Sequence, residues 1–233
     1  MMPKIPQKKQ AGFTLVELMI AMILGLVIIA AVLNIYVGSS RSSLYTQGLQ
    51  TMQENGRYGV SVLRRGIQLA GYSPGDRDER VEAIDVDNSG ENFITVRMRR
   101  DFDCNGLDTA SAPNPGFAIN TYAFDSANGI ITCQGDQANS VAMTIVEGVE
   151  EFRVLYGLDT DADDVPERFS RYDASMSSRD ILAIRFALLV NSGREIRTDP
   201  MAEQHVVLDS VIPTNDRTAR NVFGSTVILR NRF

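Results

Sequence analysis

The chain has 233 residues and a formal charge of −6, enough for one membrane anchor plus one domain of ordinary size. Its three lysines, Lys4, Lys8 and Lys9, all precede residue 10. The remainder sets 20 arginines against 29 acids, near −9, which argues against nucleic-acid binding through a basic face. Lysine-based covalent catalysis is excluded beyond residue 9, and the two cysteines lack any zinc-like spacing.

The basic start gives way to an apolar run from Phe13 to about Leu33, interrupted by Thr14, Glu17 and Gly25. As a helix rising ~1.5 Å per residue it covers roughly 30 Å, a bilayer's hydrocarbon thickness. Lysines before it and acids after it fit a cytoplasmic N-terminus and an exported bulk. Glu17 lies inside this run, where an ionisable group is costly unless paired, so it marks function and calls for a partner. Gly12-Phe13-Thr14-Leu15-Val16-Glu17 resembles the processing site of type IV prepilins and type II secretion pseudopilins. The resemblance implies that a prepilin peptidase cuts after Gly12, that Phe13 becomes an N-methylated N-terminus, and that Glu17 helps the subunit dock in a filament. A neighbouring subunit's cationic amine would neutralise Glu17 where water is scarce and set the axial register. The alternatives are a signal anchor with an incidental glutamate, and a secretory signal cleaved near Val37-Gly38-Ser39, which would remove the apolar run.

No proline occurs between Pro6 and Pro74, so one helix is expected from Phe13 towards Tyr72. After Asn34 it turns polar, with Ser39, Ser40, Ser42 and Ser43. Leu49, Met52, Val60, Leu63 and Ile67 then recur at helical spacing, with Gly56 in the gap, which suits a face packed on something else. Gly48, Gly56 and Gly59 weaken the pattern, and the Gly71–Gly75 stretch ends it. Gln53-Glu54-Asn55-Gly56-Arg57-Tyr58 and Gln68-Leu69-Ala70-Gly71-Tyr72 resemble the equivalent helix of PilW-type minor pilins.

From residue 93 the reading is β. Strands are expected at 93–100, 117–124 and 130–133, the last two joined near Asn128-Gly129, and at 141–146 and 152–158. A central strand covers 181–190 and ends at Asn191-Ser192-Gly193. A short strand follows at 206–208, residues 227–229 belong to a last one, and Val81–Ile84 is a further candidate. The runs from Val146 to Asp159, Ile184 to Val190 and Arg220 to Asn231 resemble PilW-type segments; the last is shared with pseudopilin J. Segregation of one long helix from later strands argues α+β. The resemblance specifies a type IV pilin-like fold, with a long N-terminal helix, its first half transmembrane, packed on an antiparallel sheet. The expected organisation is a leader at 1–12, a transmembrane and filament-core helix at 13–38, an amphipathic half at 39–72, and a β-rich globular domain at 73–233.

Cys104 and Cys133 fall in the exported part, where an even count favours a disulfide over two buried thiols. Asp159, Asp161 and Asp163, with Glu167 downstream, place oxygen ligands at alternate positions as a calcium loop does. Asp164 at the sixth position, Ser170 at the twelfth and Pro166 depart from that pattern, so a solvated acidic turn is the favoured reading. The segment from Asp101 to Asp108 reads as a disulfide-anchored turn, and Asp85, Asp87 and Ser89-Gly90 form a weaker copy. His205, the single histidine, reads as a satisfied polar residue. Arg64-Arg65 and Arg97, Arg99 and Arg100 read as solvated faces or partners for carboxylates. No Gly-x-Ser-x-Gly elbow or phosphate-binding glycine loop occurs.

These readings converge on a structural, non-enzymatic minor pilin in type IV pilus assembly, in a priming or tip complex. The implied partners are the prepilin peptidase, other minor pilins, the major pilin and the inner membrane, with no nucleic acid. The protein would cross the inner membrane once, with its domain periplasmic, and then enter the extracellular pilus. A type II secretion pseudopilin of the J type, a calcium-assisted adhesin and an anchored exported enzyme are the rivals.

Overall fold

The computed structural model describes residues 12–74, 81–111 and 115–231; Lys4, Lys8 and Lys9, and all of the expected leader but Gly12, lie outside them. The first helix, α1, runs unbroken from Leu15 to Gln68. Thr14 starts it: its hydroxyl accepts the Glu17 main-chain N–H at 3.2 Å, an N-cap that satisfies one of the orphan donors of the first turn. Gly71, at φ 77°, stops it in the left-handed conformation that glycine adopts without penalty.

The chain divides into two compact units at Tyr45/Thr46. In the first, the apolar side chains from Phe13 to Val37 are exposed, and an 18-residue window reaches a mean hydropathy of 2.9 with none of it buried. Such a surface needs lipid or other protein around it.

Among the described residues, the second unit holds the rest of α1 and ten strands. β1 (Phe93–Arg99), β2 (Phe117–Asp125), β3 (Ile130–Gly135) and β4 (Met143–Glu147) form one antiparallel sheet in sequence order. β5 (Val149–Leu158), β6 (Arg168–Ser170), β7 (Ile181–Glu195) and β10 (Thr218–Ile228) form a second, ordered β10-β7-β5-β6. β8 (Met201–Val207) and β9 (Ser210–Asp216) pair as a hairpin. The architecture is therefore α+β, with two four-stranded sheets where one was expected. Val81–Ile84 contributes only an isolated bridge from Ile84 to Val96.

The strand expected to end at Asn191-Ser192-Gly193 continues to Glu195. Its turn-like residues are used internally. Ser192 Oγ donates to the Arg194 carbonyl at 2.7 Å and accepts the Ala219 N–H at 3.2 Å, beside a bulge between Thr218 and Arg220.

The buried stripe of α1 is Gly48, Met52, Gly56, Gly59, Leu63, Gly66 and Ile67, a three- and four-residue recurrence. The glycines that weaken the sequence pattern are its closest contact points. A Cβ on Gly56 would lie 2.3 Å from the Phe223 ring, and one on Gly66 would lie 2.3 Å from the Tyr122 hydroxyl. Around this stripe Leu63, Ile67, Ile94, Met98, Ile131, Phe152, Tyr156, Ile184 and Phe186 form the main core. A smaller cluster of Ala187, Leu189 and Val207 lies elsewhere in the unit, with Ile212 and Val222 packed against it.

Cys104 and Cys133 are disulfide-bonded across 29 residues. The bond ties the loop after β1 to β3, and Asn105 reinforces it by accepting the Gly135 N–H at 2.8 Å and donating to the Val141 carbonyl at 2.6 Å. Closing a loop of this length restricts the unfolded chain by about 2–4 kcal/mol. Reduction, or Cys104→Ala with Cys133→Ala, is expected to lower the thermal midpoint by roughly 5–15 °C. A midpoint unchanged by reductant in calorimetry would contradict this.

Candidate functional site

Gly12, Phe13 and Glu17 sit together at the start of α1, all exposed, with the Phe13 side chain 84% accessible. Glu17 occupies the third helical position, where a carboxylate is favoured by the helix dipole. The helix thus presents an acid one turn in, beside a segment whose cleavage after Gly12 would create an amine at Phe13.

The acidic residues form the connection of the β5–β6 hairpin. Pairing of Tyr156 with Ser170 and of Leu158 with Arg168 closes residues 159–167 into a loop. Asp159 is buried and organises it, accepting N–H groups from Ala162 at 2.7 Å and Asp164 at 3.0 Å. Burial pushes the Asp159 carboxyl up, but these N–H groups outweigh it and hold the group below its ordinary range. Ala162 and Asp164 adopt positive φ of 62° and 67° to complete the turn. Glu167 closes the far side, accepting the Thr160 N–H at 2.7 Å. One carboxylate oxygen from each of Asp159, Asp161, Asp163 and Glu167 lies within 4.8 Å of the others. Partial desolvation, then the charges of Asp163 and Glu167, push Asp161 up. Oxygen-only donors of this kind suit a hard cation such as Ca²⁺. The loop's own N–H groups already bond oxygens of Asp159, Asp163 and Glu167.

The other candidates are structural. Asp103 accepts the N–H groups of Asn105 and Leu107 at 2.8 and 2.9 Å and shapes the disulfide loop. Asp85 bonds Asn88. His205 meets Thr214 at 3.2 Å, and the neighbouring Glu203 is held bidentately by Arg197. Burial raises the Tyr122 hydroxyl to about 12, so it remains a neutral packing group beside Gly66. Sequence reasoning missed β6, the three-residue strand that brings Glu167 back to the aspartates; the only hint was the spacing from Asp159 to Glu167.

Two family descriptions match the chain. Prokaryotic N-terminal methylation motif covers residues 7–33, and Type IV Pilus-assembly protein W covers residues 122–231. The chain thus matches the type IV pilus-assembly protein W family over residues 122–231 and the methylation motif at its start. The first match contains the Gly12-Phe13 pair and Glu17; the second spans β3 to β10 and only the end of β2. No curated protein matches this chain. Among solved structures it is similar to a type IV-like pilin from Thermus thermophilus, at 12% identity and a TM-score of 0.49, covering 77% of this chain and 97% of that one. It is also similar to a chain from the GspK–GspI–GspJ complex of the enterotoxigenic Escherichia coli type 2 secretion system. That match has 14% identity and a TM-score of 0.39, covering 78% and 97% respectively. The apolar helix and the methylation motif fit membrane anchoring and a place in a pilus.

Proposed function

We propose that this chain is a non-enzymatic minor pilin that primes type IV pilus assembly with other pilins, in a complex that starts or caps the filament. The observation that carries this reading is the unbroken helix Leu15–Gln68, with an exposed apolar first half and a packed second half, preceded by Gly12-Phe13. In this reading the peptidase removes residues 1–12. The apolar half then holds the chain in the inner membrane with the β domain periplasmic, and later leaves lipid for a bundle of similar helices. That transfer changes apolar burial little, so close packing and the pairing of Glu17 with a neighbour's Phe13 amine supply specificity. N-terminal mass analysis of the mature protein tests it. The expected start is methylated Phe13; a start beyond Leu33 would sink the proposal. Deletion should remove surface pili, whereas a J-type pseudopilin would block protein secretion instead.

The four convergent carboxylates favour one addition, a calcium-bound acidic loop acting in surface attachment. If so, Ca²⁺ titrated into the full chain by calorimetry binds at a single site that Asp161→Asn with Asp163→Asn removes, with adhesion reduced and piliation intact. Absence of Ca²⁺ binding at millimolar concentration would leave the loop a hydrogen-bonded turn.

A further inference from the structure

Several arginines of the β domain are held in ion pairs. Arg153 bonds Glu91 at 2.7 Å, Arg197 bonds Glu203 at 2.9 Å, and Arg220 joins Asp216 and Glu150. Arg57 and Arg64 differ: both are exposed on α1, and among the described residues neither has a carboxylate partner. Arg65, in the last turn, has a local reason to be there because it complements the helix dipole. Arg57 and Arg64 have no such reason. Seven positions apart, they share one helix face about 10 Å apart.

These arginines border a cleft of about 450 Å³ between α1 and β10, with Ser61 and Gln68 beside them and Val60, Phe223 and Gly224 as its other walls. β10 is the outermost strand of its sheet. Alternate residues of an edge strand direct main-chain N–H and C=O groups away from the sheet, where an added strand can meet them. The cleft thus combines a cationic wall and a partly apolar floor beside the outermost strand of a sheet, on a protein whose overall charge is negative.

We propose that this cleft docks an acidic, extended segment of a neighbouring pilin subunit, added along β10 with its carboxylates against Arg57 and Arg64. The proposal rests on the minor-pilin reading and adds the docking surface and the partner's chemistry. Charge complementarity selects an acidic occupant, and the strand edge selects an extended one. Guanidinium groups pair carboxylates with two parallel hydrogen bonds, which fixes orientation as well as charge.

The test uses the full chain in nanodiscs of uncharged phosphatidylcholine and a labelled peptide of alternating valine and glutamate. Saturable binding is expected, weakened at least ~10-fold by Arg57→Glu with Arg64→Glu, and weakened by salt as screened charges require. A peptide with lysine in place of glutamate should not bind. A glutamate peptide N-methylated at alternate amides should lose most of its affinity, because it cannot pair with the strand edge. In cells, the double reversal should reduce surface pili at least ~10-fold while the mature N-terminus and protein level stay normal. Binding unaffected by the reversal, equal binding of the N-methylated peptide, or capture of anionic-lipid nanodiscs in place of the peptide would each overturn the proposal. So would normal piliation with the double reversal in a strain whose pili require this chain; that outcome leaves the minor-pilin reading standing. Pili unaffected by deletion of the chain would instead remove the reading beneath it.

Discussion

Glu17→Ala is expected to leave processing and membrane insertion intact and to reduce incorporation into filaments by more than ~100-fold. In water the loss of one exposed carboxylate costs little. In a bundle of apolar helices the same change leaves a neighbour's N-terminal amine without its counter-charge, and breaking a buried pair costs about 3–5 kcal/mol. Glu17→Gln keeps the size and a hydrogen-bonding group but removes the charge, so it should fail almost as badly. Glu17→Asp keeps the charge at a shorter reach and should retain part of the function. The helix itself should tolerate all three, because its start is capped by Thr14, whose hydroxyl holds the Glu17 main-chain N–H without using the Glu17 side chain. Quantitative immunoblotting of sheared filaments against total membrane protein checks this. Wild-type incorporation of the alanine variant would mean that no charge pair sets the register.

The second large effect is expected at Gly56. On an isolated helix, Gly56→Ala would stabilise by about 1 kcal/mol through propensity alone. Here the new methyl would sit 2.3 Å from the Phe223 ring, closer than any real contact. The ring or the helix must shift, at about 1–3 kcal/mol, and Gly56→Leu should prevent native packing of the second unit altogether. Phe223→Leu frees space at the ring, so combining it with Gly56→Ala should recover part of the loss, and a double-mutant cycle should show coupling. Thermal unfolding of the full chain in detergent measures both. A stabilising Gly56→Ala would refute the close approach of helix and strand. The same contact matters to the docking cleft, because Phe223 forms part of its wall.

These two sites differ in how far they could be read in advance. Glu17 stood out because a lone carboxylate in an apolar run conflicts with its surroundings, and such a conflict is visible one residue at a time. Gly56 carried the opposite signal. Its low helix propensity counted against the helix, and its purpose depends on Phe223, 167 residues later, on the closing strand of the chain. Similarly, β9 contains Pro213, which argues against a strand by local rules, yet it pairs with β8 as a separate two-stranded hairpin. The short β6 has too few residues for any periodicity, and only its pairing with β5 defines it.

The amino-acid order alone therefore determined the long apolar run, the Gly12-Phe13 pair of the methylation motif, the lone acid at Glu17, the α+β class and the positions of the longer strands. All of these rest on patterns within a few turns or one strand of each other, where hydrophobic spacing and capping act locally. Only the tertiary structure decided that the strands split into two sheets, that the glycines of α1 are its contact face, that Glu167 joins Asp159, Asp161 and Asp163, and that Arg57 and Arg64 line a cleft with Phe223 and Gly224 of β10. Those features come from contacts between residues distant in sequence, where shape and chain topology, not local propensity, choose the neighbours.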